Sequence, residues 1–475
     1  MTGKAAIIGG GVIGGGWAAR FLLNGWTVAI FDPDPDAARK IDAVLINART
    51  SMPSLYDRPL PPEGALTYAA SLDDAVSGAD WVQESTPERL DMKRGVLAQI
   101  TAAAPETAIV ASSTSGFKPS DLNAEGGRSI VAHPFNPVYL LPLVELVGAS
   151  ETCARAADIL EGLGMFPLTL RQEVDAHIAD RLLEAVWRES LWLVHDGIAT
   201  TEQIDAAIRM GFGLRWAQMG LFETYRIAGG EAGMAHFLAQ FGPALAWPWT
   251  KLTDVPDLSD AFVAKIAAQS DAQSGHMSIR ELERKRDENL VGLLRALKQS
   301  KAGAGQVLLD HEARLPAVGP SDAPWVTLSV QVPSSWTDYN GHMNESHYLE
   351  AGSKATDCVL DRIGAGPDYV AGGFSYFTVE SHVQHLAEIH AGDRLTAESQ
   401  ILAAEGKRLH LFHTLRNGTG AAVATHETLL VHVDLTSRRA CVPLASVAAR
   451  VATLAQDHMA RPRPAGAGRA VGQRP

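Results

Sequence analysis

The sequence predicts a doubly wound α/β domain, then an all-α domain, then a small α+β domain. Three observations carry that reading. Strand-like and helix-like stretches alternate over about the first 175 residues, strand signals vanish between about 176 and 297, and period-two alternation returns after a Pro- and Gly-rich stretch at 315–324.

Residues 4–8 (KAAII) form a short apolar run that enters GGGVIGGG. WAARFLLNG follows with helical spacing, and WTVAIFD reads as a second strand, so the chain opens β-α-β. Runs at 79–83, 108–111 and 129–132, separated by helix-like stretches, extend a parallel sheet. An amphipathic pattern begins at Ile178, and 204–210 and 279–297 add helices rich in charge pairs. The segment LPAVGPSDAP at 315–324 has the composition of a linker. Beyond it, 325–332, 375–385, 394–403, 409–416 and 421–433 alternate like antiparallel strands, with a helical stretch at 345–362. The expected domains are therefore 1–175, 176–314 and 325–458, with a tail from 459 to 475 too polar and Pro-rich to order itself.

At 475 residues the chain has room for about two to four domains. Its 46% hydrophobic and 20% charged residues exclude disordered and fibrous classes. A net charge of −13 repels nucleic acid and anionic lipid, and the only basic cluster is a few arginines at the extreme C-terminus. Cys153, Cys358 and Cys441 are far apart and form no metal-ligand spacing, so no metal is expected and a reducing cytoplasm is. The uncharged run 5–19 reads as strand plus glycine loop, with no cleavage site after it, and no stretch of about eighteen apolar residues suggests a membrane span.

Gly9, Gly11 and Gly14 spell G-x-G-x-x-G between a predicted strand and helix. There, glycines permit a tight turn and let backbone amides approach a pyrophosphate at the helix N-terminus, the Rossmann arrangement. Asp32, eighteen residues after Gly14 at the end of the second strand pattern, is placed to accept from an adenine-ribose 2′-hydroxyl. Pro33 and Asp34 beside it offer no cation to a 2′-phosphate, which favours NAD over NADP. In AHPFNP, His133 ends a strand pattern where open α/β sheets bind ligands, and Glu145 lies twelve residues on in LPLVELV. A neutral imidazole there could take a hydroxyl proton as hydride leaves, its tautomer fixed by a carboxylate.

From residue 4 to about 300 the chain resembles the 3-hydroxyacyl-CoA dehydrogenase superfamily. The carrying residues are the glycine loop, Glu84-Ser85-Thr86-Pro87-Glu88 with Lys93, Ser112-Ser113-Thr114-Ser115, HPFNP, Glu145 and Asp180-Arg181-Leu182-Leu183. The resemblance implies that His133 is a general base paired with Glu145, that Ser115 hydrogen-bonds the substrate oxygen, and that Glu88 and Lys93 lie near the nicotinamide. Asp180 stands where that family has Asn, and HPFNPVYLLPLVEL resembles the branch that acts on free hydroxy acids. The stretches 214–225, 229–234 and 240–243 resemble carnitine 3-dehydrogenases. A quaternary ammonium binds best to aromatic faces plus an anion. Trp216, Phe222 and Tyr225 are candidates for the faces, among helical-region aromatics that include Trp187, Trp192, Trp247 and Trp249, and Asp180 or Glu223 for the anion.

The pattern VPSSWTDYNGHMN, from Val332 to Asn344, resembles hot-dog-fold acyl-CoA thioesterases of the 4-hydroxybenzoyl-CoA type, over about 325–455. That resemblance makes Asp338 the catalytic carboxylate, as nucleophile or as base, with His342 and Asn344 shaping the site. Read from its residues alone, Asp338-Tyr339-Asn340-Gly341 is a good turn. A carnitine dehydrogenase fused to a thioesterase implies a bifunctional, cytoplasmic homodimer or higher homo-oligomer acting on carnitine and betainyl-CoA. The alternatives are a dehydrogenase of another free 3-hydroxy acid such as L-gulonate, and a C-terminal module that takes a different acyl-CoA or only binds or dimerises.

Overall fold

The computed structural model describes residues 3–56, 59–123, 127–228, 237–239, 250, 257, 259–315, 325–333 and 336–469. The chain divides into two compact units, one of 1–49 and 62–313, the other of 50–61 and 314–475. The linker expected at 315–324 falls almost wholly outside the described residues, as do Trp247, Trp249 and the motifs at 229–234 and 240–243.

The first unit opens with β1 (Lys4–Ile8), α1 (Val12–Leu22) and β2 (Thr27–Phe31). Its remaining strands are β3 (Leu66–Tyr68), β4 (Trp81–Glu84), β5 (Ile109–Ser112), β6 (Ile130–Pro134), β7 (Leu143–Val147) and β8 (Phe166–Thr169), in sheet order β3-β2-β1-β4-β5-β6-β7-β8. Ala5, Ala6, Ile7 and Ile8 are all buried, as a strand covered on both faces requires. The pairings from β3 to β6 are parallel, whereas β7 runs antiparallel to β6 and β8 parallel to β7. That reversal departs from the all-parallel expectation. Its reason is length: β6 and β7 are joined by only the eight residues 135–142, too few for the crossover that a parallel return needs.

Helical structure then dominates, including α2 (Ala179–His195), α3 (Gly213–Ala228) and α4 (Ile279–Ser300). A reciprocal cap starts α4, Ser278 Oγ accepting from Glu281 N and Glu281 Oε2 accepting from Ser278 N. α4 is tied to the loop after β6 by Tyr139, whose hydroxyl donates to the buried Asp287 Oδ2 at 2.5 Å. No helix among the described residues is long and apolar enough to cross a membrane. Cys153, Cys358 and Cys441 form no disulfide.

The second unit wraps an antiparallel sheet around α5 (Glu345–Arg362). The strands are β9 (Trp325–Gln331), β10 (Phe374–His385), β11 (Arg394–Glu405), β12 (Arg408–Arg416) and β13 (Ala422–Asp434), in order β10-β13-β12-β11-β9, with β14 (Arg439–Ala440) on β13. α6 (Ala445–Met459) follows. The tail expected to be disordered continues as hydrogen-bonded backbone to residue 469: Gln400 Nε2 donates to the Pro462 carbonyl, and Gly468 N to Glu427 Oε2. Prolines and glycines that cannot build a core of their own still form turns against a finished sheet.

Two stacked imidazoles lie in the core beneath α5. His413 joins Thr356 Oγ1 and Ser399 Oγ, and His426 packs on His413 with ring centroids 5.4 Å apart. Burial holds His413 well below the ordinary imidazole range and pushes His426 down to about 4. The folded unit therefore refuses protons that its unfolded chain accepts. Stability present above pH 6.5 should be lost as pH falls from there to about 4, by roughly 3 kcal/mol from His426 alone. Urea denaturation at a series of pH values checks this: His426→Phe should flatten the acid slope, and an unchanged slope would exclude His426 as its source.

Candidate functional site

The glycine turn between β1 and α1 is built for close approach. Gly9 has φ +105°, and a Cβ at Gly14 would come within 1.9 Å of the Gly9 carbonyl oxygen. A Cβ at Gly11 would meet nothing within 4 Å, which leaves the open space a pyrophosphate needs at the start of α1. Gly9, Gly11 and Asp32 line one cavity of about 870 Å³. Asp32 Oδ2 accepts from Gly10 N at 2.5 Å and Oδ1 from Asp34 N at 2.7 Å, so the carboxylate is fixed on the cavity wall just after β2. These residues fit NAD. One expectation needs correction, because a cation does reach this cavity: Lys40, six residues beyond Asp34, lines it. Its Nζ is held 2.5 Å from Asp34 Oδ2, and that bond is the main force holding the Asp34 carboxyl below its usual range.

Behind the cradle Lys93 is almost fully buried. Its Nζ lies 3.1 Å from Glu84 Oε1, 3.1 Å from the Thr86 carbonyl oxygen and 3.3 Å from Glu88 Oε2. Glu88 Oε1 accepts from Thr114 Oγ1 at 2.5 Å and from Gly116 N at 3.1 Å. Burial opposes the charge of Glu88, but these donors and Lys93 outweigh it and hold the carboxyl below the ordinary range. Ser115 sits half-buried on the turn between Thr114 and Gly116, so Glu88 braces the turn on both sides of it.

His133 and Glu145 face each other across the β6/β7 ladder. The reversal of β7 puts both side chains on one face, and His133 Nδ1 donates to Glu145 Oε2 at 3.0 Å. Glu145 Oε1 accepts from Ile178 N at 2.9 Å and Ala179 N at 3.0 Å, the amides that open α2. Burial works against its charge, and the imidazole and amides more than offset burial, so its carboxyl lies below the usual range. With Nδ1 committed, the Nε2 lone pair of neutral His133 is the one that can accept a proton. Asp180, on the first turn of α2, places Oδ2 3.7 Å from that Nε2. Sequence reasoning missed His177. Its buried ring lies 5.5 Å from the His133 ring, and its Nε2 donates to the Thr114 carbonyl at 3.3 Å, connecting the Ser115 turn to the start of α2. No spacing signalled it. A non-glycine pair in left-handed backbone, Ala176 (φ 57°) and His177 (φ 50°), creates the bend.

The aromatic candidates are not brought to this histidine among the described contacts. On α3, which is kinked at Gly220 (φ 72°), Trp216 packs on Phe212 and Tyr225 stacks on Phe237, while Phe222 is 75% exposed.

In the second unit Asp338 opens the turn expected of it. Asp338 Oδ1 accepts from Asn340 N at 2.8 Å, and Gly341, at φ +82°, donates its N–H to the Asp338 carbonyl at 3.0 Å. Asn344 is used up as the N-cap of α5, its Oδ1 accepting from Ser346 N at 3.0 Å and Ser346 Oγ at 2.8 Å. His342 Nε2 lies 3.3 Å from Glu388 Oε2, and His390 Nδ1 donates to the Gly341 carbonyl at 3.1 Å. Trp336, just before Asp338, stacks on His347 of α5 with centroids 5.0 Å apart.

Residues 4–173 match the 3-hydroxyacyl-CoA dehydrogenase NAD-binding domain, 177–259 match the C-terminal domain of that dehydrogenase, and 332–451 match the thioesterase-like superfamily. Fold and site thus define an NAD-dependent dehydrogenase of the 3-hydroxyacyl-CoA dehydrogenase class, joined to a hot-dog thioesterase domain. A protein of Ruegeria pomeroyi named L-carnitine dehydrogenase/betainyl-CoA thioesterase is 60% identical over 98% of this chain and 99% of its own length, and one of the same name from Agrobacterium fabrum is 55% identical over 98% of each. The chain belongs to that family of L-carnitine dehydrogenase/betainyl-CoA thioesterases. An L-carnitine dehydrogenase of Pseudomonas aeruginosa is 50% identical over 63% of this chain. Among solved structures, an NAD-dependent dehydrogenase of 5-formyl-3-hydroxy-2-methylpyridine 4-carboxylic acid aligns over 63% of this chain and 99% of its own, with a TM-score of 0.52 and 26% identity.

With Asp32 and Asp34 lining the cavity, kcat/KM for NADP should fall on the order of 10²-fold below that for NAD. Asp34→Asn releases Lys40 and should narrow the gap by about 3–10-fold. Initial rates with both cofactors decide it, and an unaltered ratio in Asp34→Asn would mean that Lys40 does not reach the 2′ position.

Proposed function

We propose that this chain oxidises L-carnitine to 3-dehydrocarnitine with NAD and, in its second unit, hydrolyses betainyl-CoA to glycine betaine and CoA. The observation that carries the first activity is the His133–Glu145 pair, which leaves one imidazole nitrogen available as a base on the ligand side of the sheet. Bound NAD supplies the hydride acceptor. His133 Nε2 takes the proton of the C3 hydroxyl while Ser115 hydrogen-bonds that oxygen, and the C3–H bond breaks as the C3=O bond forms. Glu145 keeps the tautomer and steadies the imidazolium. Glu88, backed by Lys93, braces the turn that carries Ser115 and would lie near the nicotinamide.

In the thioesterase unit Asp338 supplies the carboxylate, either attacking the thioester carbonyl or activating water, and the amides that open α5 polarise the carbonyl oxygen. Similarity to bifunctional relatives over both units supports this assignment. We also propose that the enzyme works in the cytoplasm as a homodimer or higher homo-oligomer. Leu182, Leu183 and Trp187 on α2 each expose more than half their surface, an apolar strip suited to a second copy.

NADH formation from L-carnitine compared with L-gulonate tests the substrate directly. His133→Ala should lower turnover by about 10²–10⁴ with NAD binding intact, and Glu145→Gln by less. Asp338→Asn should abolish thioester hydrolysis and spare carnitine oxidation, and His133→Ala should do the converse. If either variant stopped both reactions without unfolding the chain, the separation of the two chemistries would be wrong.

A further inference from the structure

Around the reactive nitrogen of His133 the carboxylates are not equivalent. Glu145 spends Oε2 on His133 Nδ1 and Oε1 on two backbone amides, so its charge is already answered. Asp180 approaches the other side of the ring, 3.7 Å from Nε2, with a side chain only 19% exposed. Burial is the main force raising its carboxyl above the ordinary range. His133 and His177 work against that rise, and Glu145 and Glu184 add to it. A half-buried carboxylate in that balance gains from a cation brought in by a ligand.

The covalent structure of the substrate says where such a cation would be. In carnitine the quaternary nitrogen is one methylene from the carbinol carbon. With the hydroxyl within about 2.6–3.2 Å of His133 Nε2, ordinary bond lengths keep the nitrogen within about 6 Å of that atom. Resting on the L-carnitine reading above, we propose that Asp180 is the specificity-determining contact for the trimethylammonium group, selecting cationic over neutral 3-hydroxy acids and fixing which arm of the substrate lies on which side of His133.

The hydroxyl is directed at His133 and the C3–H bond at the cofactor, so exchanging the enantiomer exchanges the two remaining arms. D-Carnitine would then lay its own carboxylate against Asp180. One side chain thereby reads both charge and handedness.

The test compares kcat/KM for L-carnitine, D-carnitine and 3-hydroxy-5,5-dimethylhexanoate, in which carbon replaces the charged nitrogen, in the wild-type chain and in Asp180→Asn and Asp180→Glu. NAD affinity is measured alongside as a check on folding. Asp180→Asn should lose about 10²-fold or more on L-carnitine, hold or gain on the neutral isostere, and discriminate less between enantiomers, with NAD affinity unchanged. Asp180→Glu, which keeps the charge, should retain part of the preference for the cation. Equal losses on L-carnitine and the isostere, or a wild-type enzyme indifferent between them, would overturn the proposal. A wild-type chain that makes no NADH from L-carnitine would overturn the functional reading as well, and it would show before any variant is made.

Discussion

The dehydrogenase unit depends on one buried carboxylate. Glu145 holds His133 with one oxygen and the first amides of α2 with the other, so a single group orients the imidazole and docks the helix that carries Asp180. Removing its side chain would leave those amides and the imidazole without their acceptor around a fully buried position. The pairing is possible because β7 turns back against β6. Two strands that run opposite ways bring residues twelve apart into register, and no parallel crossover of that length could.

The same economy appears around Lys93, where one ammonium satisfies Glu84, Glu88 and a backbone carbonyl. Glu84 also accepts from Ser112 Oγ at 2.5 Å, so the ends of β4 and β5 are clamped beneath the Ser115 turn. A buried ion cluster of this kind is poor insulation against unfolding, because desolvating its members costs about as much as their attraction returns. What it provides is position: the turn on which Ser115 sits has little freedom relative to Glu88.

Much of this was legible in the residues. The glycine loop and Asp32 announced the nucleotide cradle because only glycine tolerates those backbone approaches, and the His133–Glu145 pairing was visible because an imidazole at a strand end invites a carboxylate to fix its tautomer. Lys40 and His177 were hidden for a physical reason: their roles come from three-dimensional proximity, across a helical turn for Lys40 and through a left-handed bend for His177. In the thioesterase unit the turn reading of Asp338 holds geometrically, and that turn holds the carboxylate in one place. Asn344, by contrast, spends its oxygen on the helix cap. The tail from 461 to 469 was misjudged from composition, which measures whether a segment can build a core and not whether it can lie on one.

Residues 50–61 belong to the second compact unit although they are strung between parts of the first. The polypeptide therefore passes between units three times, after residues 49, 61 and 313, and the two cores are interleaved along the chain. A cut in the linker region would not release two whole parts. The downstream piece would lack twelve residues of its own unit, and the upstream piece would carry them as an orphaned excursion. Gene splitting, domain exchange or recombination at that single point would separate the two sequence families cleanly while parting residues 50–61 from the unit they pack with.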